Sequence, residues 1–470
     1  MNEILHAPVR DLIAAMQAGE LSSRQICTAF LDRIDESSSI NAVVFVDRGQ
    51  VLQAADHADD MRRNGSDTAQ LPLLGIPFSV KDSIAVAGWP WRSGSFARAD
   101  VVADVDATAV ARIRAAGAIP LCKTATPEYT WSAQTHSALH GRTCNPYDLQ
   151  RSPGGSSGGE AALHAIAGAP FGLGTDGFTS IRVPAHFCGS AGLRPTAGVV
   201  SEWGTWPPTK ATGMLDISTT GPMGRYAQDL DLLLDLLTGP DPKDPFVHPL
   251  PRQDRPIRRV GVLPAAALGA LSPGTVRALE IACAEMVNQG AEVVPIEPWS
   301  IDSAVELAFA LMAPDGGRRA RENLAAAKGQ HTPEFADLLE SLQAGRMDID
   351  QYLQTVQRLT EFRAGIRVSL AEVDVALAPV AAGSAPLHDR LPGSDDDAYD
   401  VQGFAHAFAV ALAGVPSAVV PICMEGSVPV GLQIIGSAHQ DYTVLKAATA
   451  LQQACASAIP APTAWVNTKG

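Results

Sequence analysis

Two glycine–serine clusters separated by one helix length constrain this chain more than any other feature in it. They lie in Arg151 to Pro184, which reads RSPGGSSGGEAALHAIAGAPFGLGTDGFTSIRVP. The first is Gly154-Gly155-Ser156-Ser157-Gly158-Gly159 and the second Gly177-Phe178-Thr179-Ser180, with an Ala-rich apolar run between them. Glycine lets a backbone approach another group closely or adopt positive φ, so such clusters gather main-chain N–H groups and small hydroxyls at one point. A hydroxyl nucleophile beside an N–H cradle is what acyl transfer needs. The part these clusters lack is a base.

Lys81 is the candidate base. It lies in Leu73-Leu74-Gly75-Ile76-Pro77-Phe78-Ser79-Val80-Lys81-Asp82-Ser83-Ile84-Ala85-Val86, a run with the pattern of a buried strand and its exit. An ammonium in such a run is costly unless paired or neutral. Two readings stand at this point. Either Lys81 pairs with Asp82 or reaches the surface, or it is desolvated until its pKa suits a base.

Together these pieces resemble the amidase signature family of serine hydrolases. The resemblance runs from about Leu73 to Asp235, with a weaker echo near the C-terminus. It rests on Gly75-Ile76-Pro77, Val80-Lys81-Asp82, Asn145-Pro146-Tyr147-Asp148, Pro153 to Gly159 and Gly174-Thr175-Asp176. Ser180-Ile181-Arg182-Val183-Pro184-Ala185, Phe187-Cys188-Gly189, Gly192-Leu193-Arg194-Pro195-Thr196 and Gly221-Pro222-Met223 follow in order. The resemblance implies a single α/β/α domain over 1–470, a mixed central sheet covered by helices on both faces, and a variable helical insert at about 302–370. By position, the family's lysine falls on Lys81, its bridging serine after a cis peptide bond on Ser156, and its nucleophile on Ser180. Ser152 and Ser157 are expected to be loop hydroxyls that cap backbone groups.

The implied mechanism passes a proton from Ser180 to Ser156 to neutral Lys81 as Ser180 attacks a carbonyl. Backbone N–H groups of Gly177, Phe178, Thr179 and Ser180 would form the oxyanion hole. No metal and no organic cofactor is expected. One departure stands out: the family usually reads Asp-x-Gly-Gly-Ser where this chain has Asp176-Gly177-Phe178-Thr179-Ser180. If either position needs φ > 0, Thr179 is strained. The consequences to weigh are a retained hole with a narrowed acyl pocket, which is favoured, a weakened enzyme, or a catalytically impaired member used for binding.

Other motifs carry less. Gly154-Gly155-Ser156-Ser157-Gly158 fits G-x-S-x-G, but the residues before it, Asn145 to Pro153, are polar and broken by proline rather than a strand. No G-x-x-x-x-G-K-[ST] string occurs. His136 and His140 lack the glutamate of an H-E-x-x-H site and are read as surface or pocket residues. The seven cysteines form no C-x-x-C pair, which points to reduced thiols. A net charge of −15 disfavours nucleic acid and anionic membrane as partners. No basic, apolar leader opens the sequence, so a cytoplasmic protein is expected.

Coarse patterning alternates strands and helices. Two helices are expected over 7–36, capped near Ser22 or Ser23, and another over Val51 to Arg63. Strands are expected at Ile76–Val80, Ala118–Cys122, Phe171–Gly174, Val260–Leu263, Glu292–Pro295, Asp374–Ala378, Ala418–Ile422 and Val430–Ile435. Val199 to Thr220 reads as loop and Asp395-Asp396-Asp397 as a solvated tip. Trp203, Trp206, Met214, Phe309, Met312, Phe404 and Phe408 are candidate pocket residues. Such a wall suits a neutral, fairly lipophilic amide, aryl amide or carbamate (urethane), with esters also within the chemistry. The alternative within the family is the glutaminase subunit of an amidotransferase, which would need a polar pocket and partner subunits. A homodimer is left open.

Overall fold

The computed structural model describes residues 2–65, 69–208, 216–253, 255–388, 390 and 401–466. Met214 and Asp395–Asp397 lie outside the described residues. The strands, in chain order, are β1 (Val43–Phe45), β2 (Pro77–Lys81), β3 (Ile119–Thr124), β4 (His136–Ser137), β5 (Gly141–Arg142), β6 (Phe171–Asp176) and β7 (Ala191–Arg194). They continue as β8 (Thr219–Gly224), β9 (Arg259–Val262), β10 (Glu292–Pro295), β11 (Val375–Pro379), β12 (Ser417–Glu425) and β13 (Val428–Ile435). Eleven of them form one mixed sheet in the order β1-β3-β2-β6-β8-β7-β12-β13-β11-β9-β10, flanked by helices.

The parallel strands β3, β2 and β6 are buried along almost their whole length. Strands covered by helices on both faces read as continuous apolar runs rather than alternating ones, which is why these were legible in the sequence. Register matters at one edge of this trio. Lys81 pairs with Thr124, and Ser79 with both Cys122 and Gly172, so β2 and β3 present their polar residues side by side.

Most expected elements occur within a few residues of their predicted limits. The second N-terminal helix is Ser23–Glu36, with a capping box on Ser22 and Gln25. The insert expected at 302–370 consists of helices Ile301–Met312, Arg318–Leu324, Pro333–Ser341 and Ile349–Ala371, with short turns between. Its middle part packs through Leu324, Phe335, Leu339 and Leu342 on Tyr129 and Trp206, a small apolar cluster separate from the main core.

The stretch Val199 to Thr220 reads as loop-rich in the sequence, and its described residues are loop up to Ser218; Thr219 and Thr220 open β8, a central strand between β6 and β7 that the sequence pattern does not mark. Thr219-Thr220-Gly221-Pro222-Met223-Gly224 has a proline and two glycines, the usual marks against a central strand. Packing overrides them here, since a Cβ on Gly221 would lie 2.1 Å from the Leu193 carbonyl. The short helix Arg182–Cys188 and the Ala-rich helix Ala405–Ala413 are also absent from the sequence pattern. The cysteines are unbonded. Among the described residues no helix is long and apolar enough to cross a membrane.

Phe171 opens β6 fully buried and stacks on Phe78 of β2, ring centroids 5.6 Å apart. Phe171→Ala is expected to cost about 3–5 kcal/mol of stability, read as a lowered urea midpoint with an unchanged slope.

Candidate active site

Lys81 ends β2, Asp176 ends β6, and the loop Pro153–Ser157 runs between them into the helix Gly158–Ala165. The Gly155–Ser156 peptide bond is cis. Gly154 holds φ of +81°, the left-handed region that favours glycine. A Cβ on Gly155 would lie 2.5 Å from the Ser132 carbonyl, so only glycine lets this loop reach its neighbour. Ser152 Oγ accepts from Gly154 N, and Ser157 Oγ bonds both the N–H and the carbonyl of Thr175. These two serines hold the loop. Ser156 is left facing Lys81.

Lys81 is fully buried, and its Nζ donates to Ser156 Oγ at 2.7 Å and to Thr175 Oγ1 at 2.8 Å. Asp82 is not its partner. Successive strand side chains point to opposite faces, and Asp82 instead accepts from Gly94 N, with His140 Nε2 3.7 Å away. Burial drives the Lys81 pKa down from 10.5 to about 7, against the opposing pull of Asp176 and Glu160. Glu160, also fully buried, accepts from Ser79 Oγ at 2.5 Å and Thr124 Oγ1 at 2.7 Å, the residues that flank Lys81 on β2 and β3. Burial lifts its carboxyl to about 7.

The second cluster is shaped by Asp176. Arg182 donates to it from Nε at 3.0 Å and Nη2 at 3.1 Å, Arg194 from Nη1 at 3.3 Å, and Ile181 from its backbone N–H at 3.1 Å. Burial alone would raise this carboxyl, yet the two guanidinium groups hold it at about 2. Arg182 also takes the Phe178 carbonyl at 2.5 Å, Val183 N–H takes the Thr179 carbonyl, and Ser157 N–H takes the Ser180 carbonyl. With carbonyls turned outward, the N–H groups of Gly177, Phe178, Thr179 and Ser180 donate to no protein acceptor among the described residues. None of these four residues has positive φ, so Phe178 and Thr179 sit there without strain.

Ser156, Ser180, Gly177, Phe178 and Thr179 line one cavity of about 580 Å³. Ser180 is 9% exposed to it. No hydrogen bond joins Ser180 Oγ to Ser156 Oγ in this geometry among the described residues. Trp206, Phe309, Met312, Phe404 and Phe408 also line the cavity, as does His136. Trp203 does not. Its indole lies 4.0 Å beneath Lys243 Nζ, where a cation–π contact holds it outside the cavity. Thr175, Asp176, Arg182 and Arg194 belong to the sequence motifs, but the motifs alone assign them no role. Their signal is an acid and two arginines within otherwise apolar strings.

The family model described as Amidase matches residues 25–445. The chain belongs to the amidase family. A glutamyl-tRNA(Gln) amidotransferase subunit from Cupriavidus taiwanensis is 30% identical, with 95% of this chain and 96% of that one covered. The subunit of the same name from Thermus thermophilus is 32% identical over 95% and 97%. Among solved structures, native peptide amidase from Stenotrophomonas maltophilia superposes with a TM-score of 0.82 at 28% identity, covering 97% of this chain and 98% of that one. The amidase fold therefore spans nearly the whole chain, with Ser156 and Ser180 lining the cavity and Lys81 bonded to Ser156.

Two outcomes follow from this geometry. If neutral Lys81 is the working form, kcat/KM rises with pH through about 7 and levels above it. Below that point it drops about tenfold per pH unit, as a pH–rate profile will show. Arg182→Leu leaves the buried Asp176 carboxylate with Arg194 as its one guanidinium partner and is expected to cost about 3–5 kcal/mol in urea unfolding.

Proposed function

We propose that this amidase-family enzyme is a serine amidohydrolase that cleaves the C–N bond of a neutral, fairly lipophilic amide, aryl amide or carbamate. The observation that carries this reading is the buried contact of Lys81 with Ser156 at a cavity into which Ser180 opens. With Lys81 neutral, the contact reverses and the Ser156 hydroxyl donates to the Nζ lone pair. Ser156 then takes the proton of Ser180 as its Oγ bonds to the substrate carbonyl carbon. The Ser156–Ser180 contact closes on substrate binding, as catalytic hydrogen bonds often do. The oxyanion rests on the N–H groups of residues 177–180, where loss of one donor is worth roughly 10²–10³ in rate. The proton returns through Ser156 to the leaving nitrogen, the C–N bond breaks, and water hydrolyses the ester on Ser180.

A second reading is favoured by the curated relatives, whose names describe a glutamyl-tRNA(Gln) amidotransferase subunit, with 30–32% identity over nearly full length. On that reading the chain releases ammonia from glutamine for a partner. Identity does not separate the two, because the peptide amidase stands at 28%. The cavity wall does bear on it. It carries Glu128, Glu202, Glu334 and Asp337, with no lysine or arginine among its described lining residues. Glutamine is a zwitterion, and while its α-ammonium suits such a wall, its α-carboxylate finds no lysine or arginine there.

A fluorophosphonate probe is expected to label Ser180 alone, with labelling lost in Ser180→Ala and slowed by about 10²–10⁴-fold in Lys81→Ala, as intact mass reads. Unlabelled enzyme should hydrolyse aryl amides or carbamates and release no ammonia from glutamine. Ammonia from glutamine with inert amides would establish the second reading instead.

A further inference from the structure

Phe178 stands two residues before Ser180, lines the cavity with it, and has an N–H that donates to no protein acceptor among the described residues. A carbonyl held there has its substituents within one side-chain length of the Phe178 ring. That ring is fixed. It is 7% exposed, its backbone carbonyl is pinned by Arg182, and it meets Phe408 edge-to-face, centroids 5.7 Å apart and planes at 83°. Phe408 in turn meets Phe309 at 6.3 Å and 76°. Exposure rises along this series, from 7% at Phe178 and Phe408 to 37% at Phe309. The three rings form a ladder in the cavity lining, from buried Phe178 and Phe408 to exposed Phe309.

The two ends of a bound amide are distinguished by where the proton must go. The leaving nitrogen has to meet Ser156, which sits against Lys81, itself bonded to Thr175, with the Ser132–Gln134 backbone packed on its neighbour Gly155. The acyl group is left with the rest of the cavity, whose lining includes Phe178, Phe408 and Phe309. A glycine at 178 would leave open space beside the acyl α-carbon, and phenylalanine fills it. A linear chain or a flat ring can lie along edge-to-face aromatics. A second substituent on the α-carbon collides with a ring that cannot swing aside.

We propose that Phe178 is a specificity-determining residue, and that the Phe178–Phe408–Phe309 ladder selects linear or planar apolar acyl groups and rejects those branched at the α-carbon. This rests on the amidohydrolase reading and adds to it the class of acyl group accepted.

The test is a p-nitroanilide series with matched acyl groups, pentanoyl and benzoyl against pivaloyl and 2-methylbutanoyl, for wild type, Phe178→Ala and Phe178→Leu. Linear and branched alkyl fluorophosphonates are run beside it, reading Ser180 labelling rates by intact mass. Wild type is expected to favour unbranched over branched acyl groups by about tenfold or more. Phe178→Ala should bring that ratio near one by accelerating the branched members, and Phe178→Leu should fall between. An unchanged ratio in both variants, or a wild-type preference for branched groups, overturns the proposal. If neither anilides nor aryl carbamates are cleaved while Ser180 still labels, the amidohydrolase reading fails, and the ratio of labelling rates still decides the role of Phe178. Failure of every probe to label wild-type Ser180 overturns both.

Discussion

The site depends on one buried carboxylate. Asp176 ends a central strand with two fully buried arginines on it, a grouping that is costly to desolvate and still more costly to break. Its position explains why it is worth keeping. Arg182 reaches from the start of the helix Arg182–Cys188 to Asp176, to the Phe178 carbonyl and to Gln433 of β13. Arg194 ties the same carboxylate to the carbonyls of Ile217 and Ala411. Residues 176–182 are thereby held from three sides, with the carbonyls of Phe178, Thr179 and Ser180 engaged, the N–H groups of Ile181 and Arg182 on Asp176, and those of residues 177–180 donating to no protein acceptor among the described residues. A loop held in this way has no need of glycine for positive φ, and so the chain can carry Phe178 and Thr179 there.

A second buried network sits behind Lys81 and is electrically opposed to the first. Desolvation brings Lys81 and Glu160 both to about 7, from opposite sides of neutrality. Ser79 and Thr124 hold the Glu160 carboxyl on the flank of β2 and β3, while Thr175 and Ser156 hold the Lys81 amine. Such an amine is a usable base near neutral pH, which an exposed lysine is not. Satisfied hydrogen bonds at every one of these positions are what make so much buried polarity tolerable.

Much of this was legible before the fold was known. Lys81 stands out because a charged residue occurs in a run that reads Ile76-Pro77-Phe78-Ser79-Val80. Ser156 and Ser180 stand out through their glycines, and the parallel strands through their unbroken apolar runs. β8 was not legible, because Gly221 and Pro222 contradict strand propensity and only contact with the Leu193 carbonyl explains the glycine. Trp203 and Trp206 look alike in sequence, yet one lies under Lys243 and the other lines the cavity. Only Gly204 and Thr205 separate them, and side-chain direction in a loop has no period to read.

By itself, the sequence determined the family, the alternating strand–helix architecture and the identity of three polar residues in one chemical setting. Those follow from local patterns, in which hydrophobic period, glycine spacing and one misplaced charge each speak from neighbouring positions. Only the tertiary structure decided that Lys81 contacts Ser156 rather than Asp82, since the choice depends on which sheet face each side chain takes and what covers it. It also decided the backbone of Phe178 and Thr179 and the ladder from Phe178 through Phe408 to Phe309. The rings of that ladder come from the loop 177–180, the helical segment 301–371 and the C-terminal region, far apart along the chain, and only packing brings them together.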